Sequence, residues 1–136
     1  MKKYEILEHK ADLKIKVFSN TKEELFMNAL LAMIDSMSPV IKNRDIETSR
    51  NIKIESLDLS SLLVDFLSEV LYLSQTNSEA YFKVKFSKFE DTELVGEISG
   101  NKAERFGEDI KAVTFHDLNI ILSENKIWEA TIIFDI

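Results

Sequence analysis

Leu13, Ile15 and Val17 alternate with Lys14 and Lys16, the period of a strand with one buried face. The period then lengthens. Thr21 followed by Glu24 has the spacing of a capping box and predicts a helix from about Lys22. Leu25, Ala29, Leu30, Met33 and Met37 give that helix one apolar face, and Ser38-Pro39 stops it. "IETSRNIKIES" returns to alternation. A second helix, capped by Asp58 or Ser60, is the plainest element in the chain. Leu59, Leu62, Leu63, Phe66, Leu67, Val70 and Leu71 hold the i, i+3, i+4, i+7 spacing over several turns.

The second half reads as β. "YFKVKFSKF", "ELVGEIS", "KAVTFHDLNIIL" and "KIWEATIIFDI" are four strand-like runs, with Ser123-Glu124-Asn125 as a hairpin turn between the last two. "NKAERFGED" is polar and reads as a loop or a short helix. The order β, α, β, α, β-meander predicts an α+β domain, two helices packed on a mainly antiparallel sheet.

Composition narrows the setting. A chain of 136 residues, 45% hydrophobic and 30% charged, suits one folded domain over 1–136. Three Gly and one Pro leave no room for a flexible linker. The absence of Cys excludes disulfides and thiolate metal sites and fits a reducing compartment. No signal-peptide pattern opens the chain, and no apolar run approaches the ~20 residues that span a bilayer, so the expected place is the cytoplasm, off the membrane. A net charge of −7 puts non-specific nucleic-acid binding at a disadvantage and favours a cation or a basic protein partner.

Few residues can carry familiar chemistry. His9 and His116 could hold zinc only with two carboxylates, and neither sits in an HExxH spacing; packed or hydrogen-bonded histidines are the simpler reading. No GxGxxG, P-loop or GxSxG pattern occurs. Trp128 is an aromatic suited to a surface anchor. The carboxylates say more. Asp12 closes "EHKAD" just before a strand, and Asp135 stands beside Ile136 at the end of another. Were those ends adjacent, Asp12, Asp135 and the α-carboxylate of Ile136 would offer three hard oxygen donors for Ca²⁺ or Mg²⁺. The plainer alternative has Asp12 ending a loop and Asp135 facing water. Lys111 is likewise either a solvated edge lysine, a cationic partner of the aspartates, or a phosphate contact.

"EHKAD", "LLVDFLSEVLYL", "KAVTFH" and the final "DI" occur in the order seen in the archease family, and the chain resembles that family over essentially its whole length. The resemblance implies an SHS2-like fold. It implies an accessory protein, not an enzyme, that acts with the RtcB-type RNA ligase of tRNA splicing and RNA repair. Such a protein promotes guanylylation and multiple turnover of the ligase, and meets tRNA only through it. An older reading of the family is a chaperone or specificity modulator of RNA-modifying enzymes such as tRNA methyltransferases. By the same resemblance, Asp12, Asp135 and Ile136 are metal ligands, for Ca²⁺ or alternatively Mg²⁺, and Lys111 is functionally required. Two departures stand out. Lys10 replaces the family's usual Thr, and a His common upstream of "KAVTFH" is absent, with Phe106 near its place.

Overall fold

The computed structural model describes residues 1–9 and 12–136, with side chains for all of these except residues 8, 9 and 115–117. Lys10 therefore lies outside the described residues, as do the side chains of His9 and His116.

The two helices start where their caps dictate. The Thr21 hydroxyl accepts the N–H of Glu24 at 3.1 Å and opens α1, Lys22–Ser36. The Asp58 carboxylate accepts the N–H of Ser61 at 2.8 Å and opens α2, Leu59–Asn77. Each satisfies a donor that the first turn leaves without a partner. Ser38 and Ser78 turn the chain out of the helices in the left-handed region, with φ of 50° and 53°.

Among the described residues eight strands accompany the helices: β1 Tyr4–His9, β2 Asp12–Ser19, β3 Pro39–Ile41, β4 Glu47–Glu55, β5 Glu79–Glu90, β6 Glu93–Phe106, β7 Ala112–Leu122 and β8 Trp128–Asp135. All pairings are antiparallel, and the strands divide into two sheets. One has the order β1-β2-β8-β7; in the other, β6 pairs with β5, β4 and β3. The division follows from α1, which buries Phe26, Asn28, Ala32 and Ile34 as well as the Leu25-Ala29-Leu30-Met33 stripe. A helix apolar on more than one side needs cover on more than one side. Accordingly α1 packs on β2 and β5, and α2 packs on β7 and β5. Phe26 meets Phe66 at 5.6 Å and Phe89 edge-on at 4.9 Å, joining both helices to the second sheet.

Two short strands escape the alternation rule. β1 carries a register shift between Ile6 and Glu8 that breaks its period. β3 starts on Pro39, allowed because a proline at a strand's first residue costs no ladder donor. The "NKAERFGED" reading is corrected in its first part: residues 101–106 continue β6 and pair with β3 from Ala103 to Phe106. Ala103 is the one buried side chain there, which hides the strand behind a polar sequence. The Asn101 amide donates to the carbonyls of Arg44 and Ile46, at 3.3 and 2.9 Å, fixing the β3–β4 connection.

Where β4, β6 and β5 meet, Glu79 is almost wholly buried. Its carboxylate accepts from Arg50 Nε and Nη2 at 3.0 and 3.2 Å and from the buried Tyr81 hydroxyl at 2.5 Å. Burial alone would push the Glu79 carboxyl up. The bonds from Arg50 and Tyr81, with the charges of Arg50 and Lys102, outweigh burial and hold it below its ordinary 4.5. A carboxyl depressed on folding contributes stability above its unfolded value and loses it as pH falls through the folded one. Acid unfolding of the wild type should therefore steepen below about pH 4.5. Glu79→Gln should start less stable at neutral pH and flatten that loss; denaturant midpoints for the two proteins across the acid range measure the difference.

Candidate functional site at three strand ends

The start of β2, the end of β8 and the start of β7 fall at one end of the first sheet. Asp12 is the register partner of Asp135, and Asp135 is in turn the partner of Ala112. Directly opposed residues in antiparallel strands have Cα atoms about 4.5–5.5 Å apart, so the two aspartates are immediate neighbours. The next pair, Leu13 with Phe134, is buried in the core. Alternation therefore sends Asp12 and Asp135 to the face away from the helices, and both are exposed. This register is firmly held, because a slip by one residue would turn Leu13, Ile15 and Val17 out of the core. Ile136 follows directly, half-buried, with its side chain against the edge of the core.

Lys111 joins the same end through its backbone. Its N–H donates to the Asp135 carbonyl at 2.7 Å. By alternation Lys111 has the parity of buried Val113, on the helix side, and it borders an open groove with Ser68, Leu71, Tyr72 and Gln75 of α2. Among the described residues, neither Asp12, Asp135 nor Lys111 takes part in an ion pair. The ammonium and the carboxylates thus flank one sheet end from opposite faces.

As a donor set, Asp12 and Asp135 have the right chemistry for a hard cation: anionic oxygens, side by side, open to water. Among the described residues no cluster of three or more His, Cys, Asp or Glu side chains could hold a metal. Among the described residues, further ligands would be main-chain oxygens, completed by water or a partner. Beside the pair, the β7 register breaks: Thr114 is opposite Ile133, but Asn119 is already opposite Thr131. The extra length in β7 falls inside the "KAVTFH" stretch and just after it, the position beside a site where bulges commonly occur.

Two aromatics complete the picture. Trp128 is half-buried against the core, and Lys22 Nζ lies 5.2 Å from its ring centroid; capped in this way it is no free surface anchor. Tyr72 is 60% exposed and was not singled out from sequence. Its signal was present, as the one aromatic on the outer stripe of α2 among Asp65, Ser68 and Gln75.

Two helices held between antiparallel sheets define an α+β architecture shared with solved structures. The solution structure of Methanobacterium thermoautotrophicum protein 1598 superposes with a TM-score of 0.69 at 29% identity, over 100% of both chains. A crystal structure from Thermotoga maritima, described as an archease and possible chaperone, gives a TM-score of 0.68 at 19% identity, over 97% of this chain and 96% of that one. The archease protein family model matches residues 4–136. Protein archease of Methanosarcina barkeri is 38% identical, covering 99% of this chain and 97% of its own. That of Pyrococcus furiosus is 33% identical over 100% of both. The chain belongs to the archease family.

Proposed function

We propose that this protein is an accessory activator of an RtcB-type RNA ligase, promoting guanylylation of the ligase and its repeated turnover without being a ligase itself. The observation that supports the reading is the convergence of Asp12, Asp135 and Lys111 at one exposed sheet end. An exposed end with charges of both signs, outside the ion pairs of the described residues, suits insertion into a partner's active-site mouth better than chemistry on a free substrate. Contact with tRNA then runs through the ligase, as the acidic total charge favours, and the protein works in the cytoplasm. No helix of the described residues is long and apolar enough to cross a membrane.

Asp12 and Asp135, with the main-chain carboxyl of Ile136, would hold a divalent cation. Ca²⁺ is preferred to Mg²⁺, because a loose set completed by water suits its variable coordination. Such an ion supplies positive charge next to the partner's nucleotide phosphates. Calorimetric titration with Ca²⁺ should show one site, lost in Asp12→Ala and in Asp135→Ala. Extending the chain past Ile136, which turns its carboxyl into an amide, should weaken binding, whereas an N-terminal extension should not. Equal binding by all these forms would remove the assignment.

A second reading, a chaperone or specificity modulator of RNA-modifying enzymes, draws on exposed Leu57, Ile46 and Ile121. The single-turnover rate of ligase-GMP formation separates the two. An activator raises that rate through the strand-end residues; a chaperone acts through apolar surface and tolerates their loss.

A further inference from the structure

Beside the strand-end site, α2 and the start of β7 border an open groove of about 270 Å³, whose lining includes Ser68, Leu71, Tyr72, Gln75, Lys111 and Val113. It is smaller than the roughly 300–1,000 Å³ of small-molecule pockets, and large enough for one anchoring side chain. Its chemistry is mixed. Leu71 and Val113 are buried and give an apolar floor. Tyr72 stands over it, 60% exposed on a helix whose other aromatic, Phe66, is fully buried. The Gln75 amide is already committed to the Ile110 carbonyl at 2.7 Å, which ties α2 to the segment entering β7 and keeps the groove in shape. Lys111, outside the ion pairs of the described residues, borders the far end of the groove. The groove is continuous with the site, since the Lys111 N–H is bonded to Asp135.

We infer that this groove is the docking surface for the protein partner, receiving a segment that presents an aliphatic side chain to Leu71, Val113 and the Tyr72 ring. The inference rests on the activator reading, and it divides the labour: the aspartates and Lys111 act on the ligase's chemistry, whereas Tyr72 and Ser68 hold the two proteins together. Tyrosine is well suited to this, being a common hot-spot residue that offers a large ring at little conformational cost.

The test titrates each protein into a purified RtcB-type ligase with GTP and reads two quantities, the half-saturating concentration and the maximal rate of ligase-GMP formation. Tyr72→Ala, and Ser68→Arg, which fills the groove, should each raise the half-saturating concentration at least about tenfold. The maximal rate at saturation should stay unchanged, Tyr72→Phe should restore most of the affinity, and melting curves should match wild type. Unchanged half-saturation in both variants would overturn the docking surface while leaving the activator reading intact, as would a fall in maximal rate alone. Tyr72-dependent binding of GTP to the protein without ligase would assign the groove to a nucleotide instead. Tyr72-dependent self-association in sedimentation would assign it to a second copy. A wild type that neither binds nor stimulates the ligase would remove both readings at once.

Discussion

Lys111→Ala should give a folded protein that still associates with the ligase and no longer speeds ligase-GMP formation. The side chain is exposed and outside the described ion pairs, so its removal should change stability by no more than about 0.5 kcal/mol. What Lys111 gives to the fold comes from its backbone, through the 2.7 Å bond to Asp135, and alanine keeps that bond. The ammonium itself is left for the partner. If it neutralises charge that develops on the transferring phosphate, its loss should appear in the single-turnover rate at saturating protein. Lys111→Arg should restore little, because a planar guanidinium reaches and hydrogen-bonds differently from a compact ammonium. A solvated edge lysine predicts full stimulation by Lys111→Ala, and that result would count against the activator mechanism.

The largest effect on stability should come from Gly100→Ala, far from any proposed chemistry. Gly100 lies in β6, between Thr48 of β4 and Tyr81 of β5. A Cβ there would fall 1.8 Å from the Ala80 carbonyl oxygen, 2.7 Å from its carbon and 2.8 Å from the Tyr81 Cα. All three are backbone atoms, so no rotamer change relieves the clash and two strands must part. The adjacent Ser99 and Lys102 pairings, and the buried Glu79 and Tyr81 with the Arg50 that pairs with Glu79, would be pulled with them. A loss of about 3–5 kcal/mol is expected, at the upper end for overpacking. Gly96→Ala serves as the control. Its closest backbone contact is 2.8 Å, to the Lys85 carbonyl oxygen, and a smaller cost should follow. Denaturant unfolding of both variants measures the contrast, and a Gly100→Ala protein within about 1 kcal/mol of wild type would contradict the packing described here.

Both helices, with the cap at Thr21 and with Asp58 as one of two candidate caps, were legible because capping and periodicity are local. So were most strands. The division into two sheets was not, since it depends on α1 being covered on both sides, and residues such as Ala32 and Asn28 do not announce burial. The last part of β6 was hidden for a related reason: strand pairing satisfies the backbone of residues 101–106 whatever the polarity of their side chains. At the site, sequence could supply Asp12, Asp135 and Lys111 as residue types of interest, but only the pairing of β2, β8 and β7 makes them neighbours. Their opposite faces follow from the parity of Lys111 relative to Ala112, which no motif states. Tyr72 went unnoticed because a single aromatic on a polar helix stripe is ordinary until a cavity is found beside it.

The order β1-β2-β8-β7 also sets a timetable. β8 is the last strand along the chain and yet lies inside its sheet, between β2 near the beginning and β7. On the ribosome, β1, β2 and both helices emerge long before the strand that completes the first sheet, so the edge of β2 stays unpaired until β8 has been made. Contacts between such distant segments are slow to form, and an open strand edge invites aggregation in the interval. Because Asp12 meets Asp135 only when β8 docks, the site cannot form before that strand is in place. Chains cut short before β8 cannot display it, so a partner that reads this end of the molecule would engage only protein in which β8 has docked.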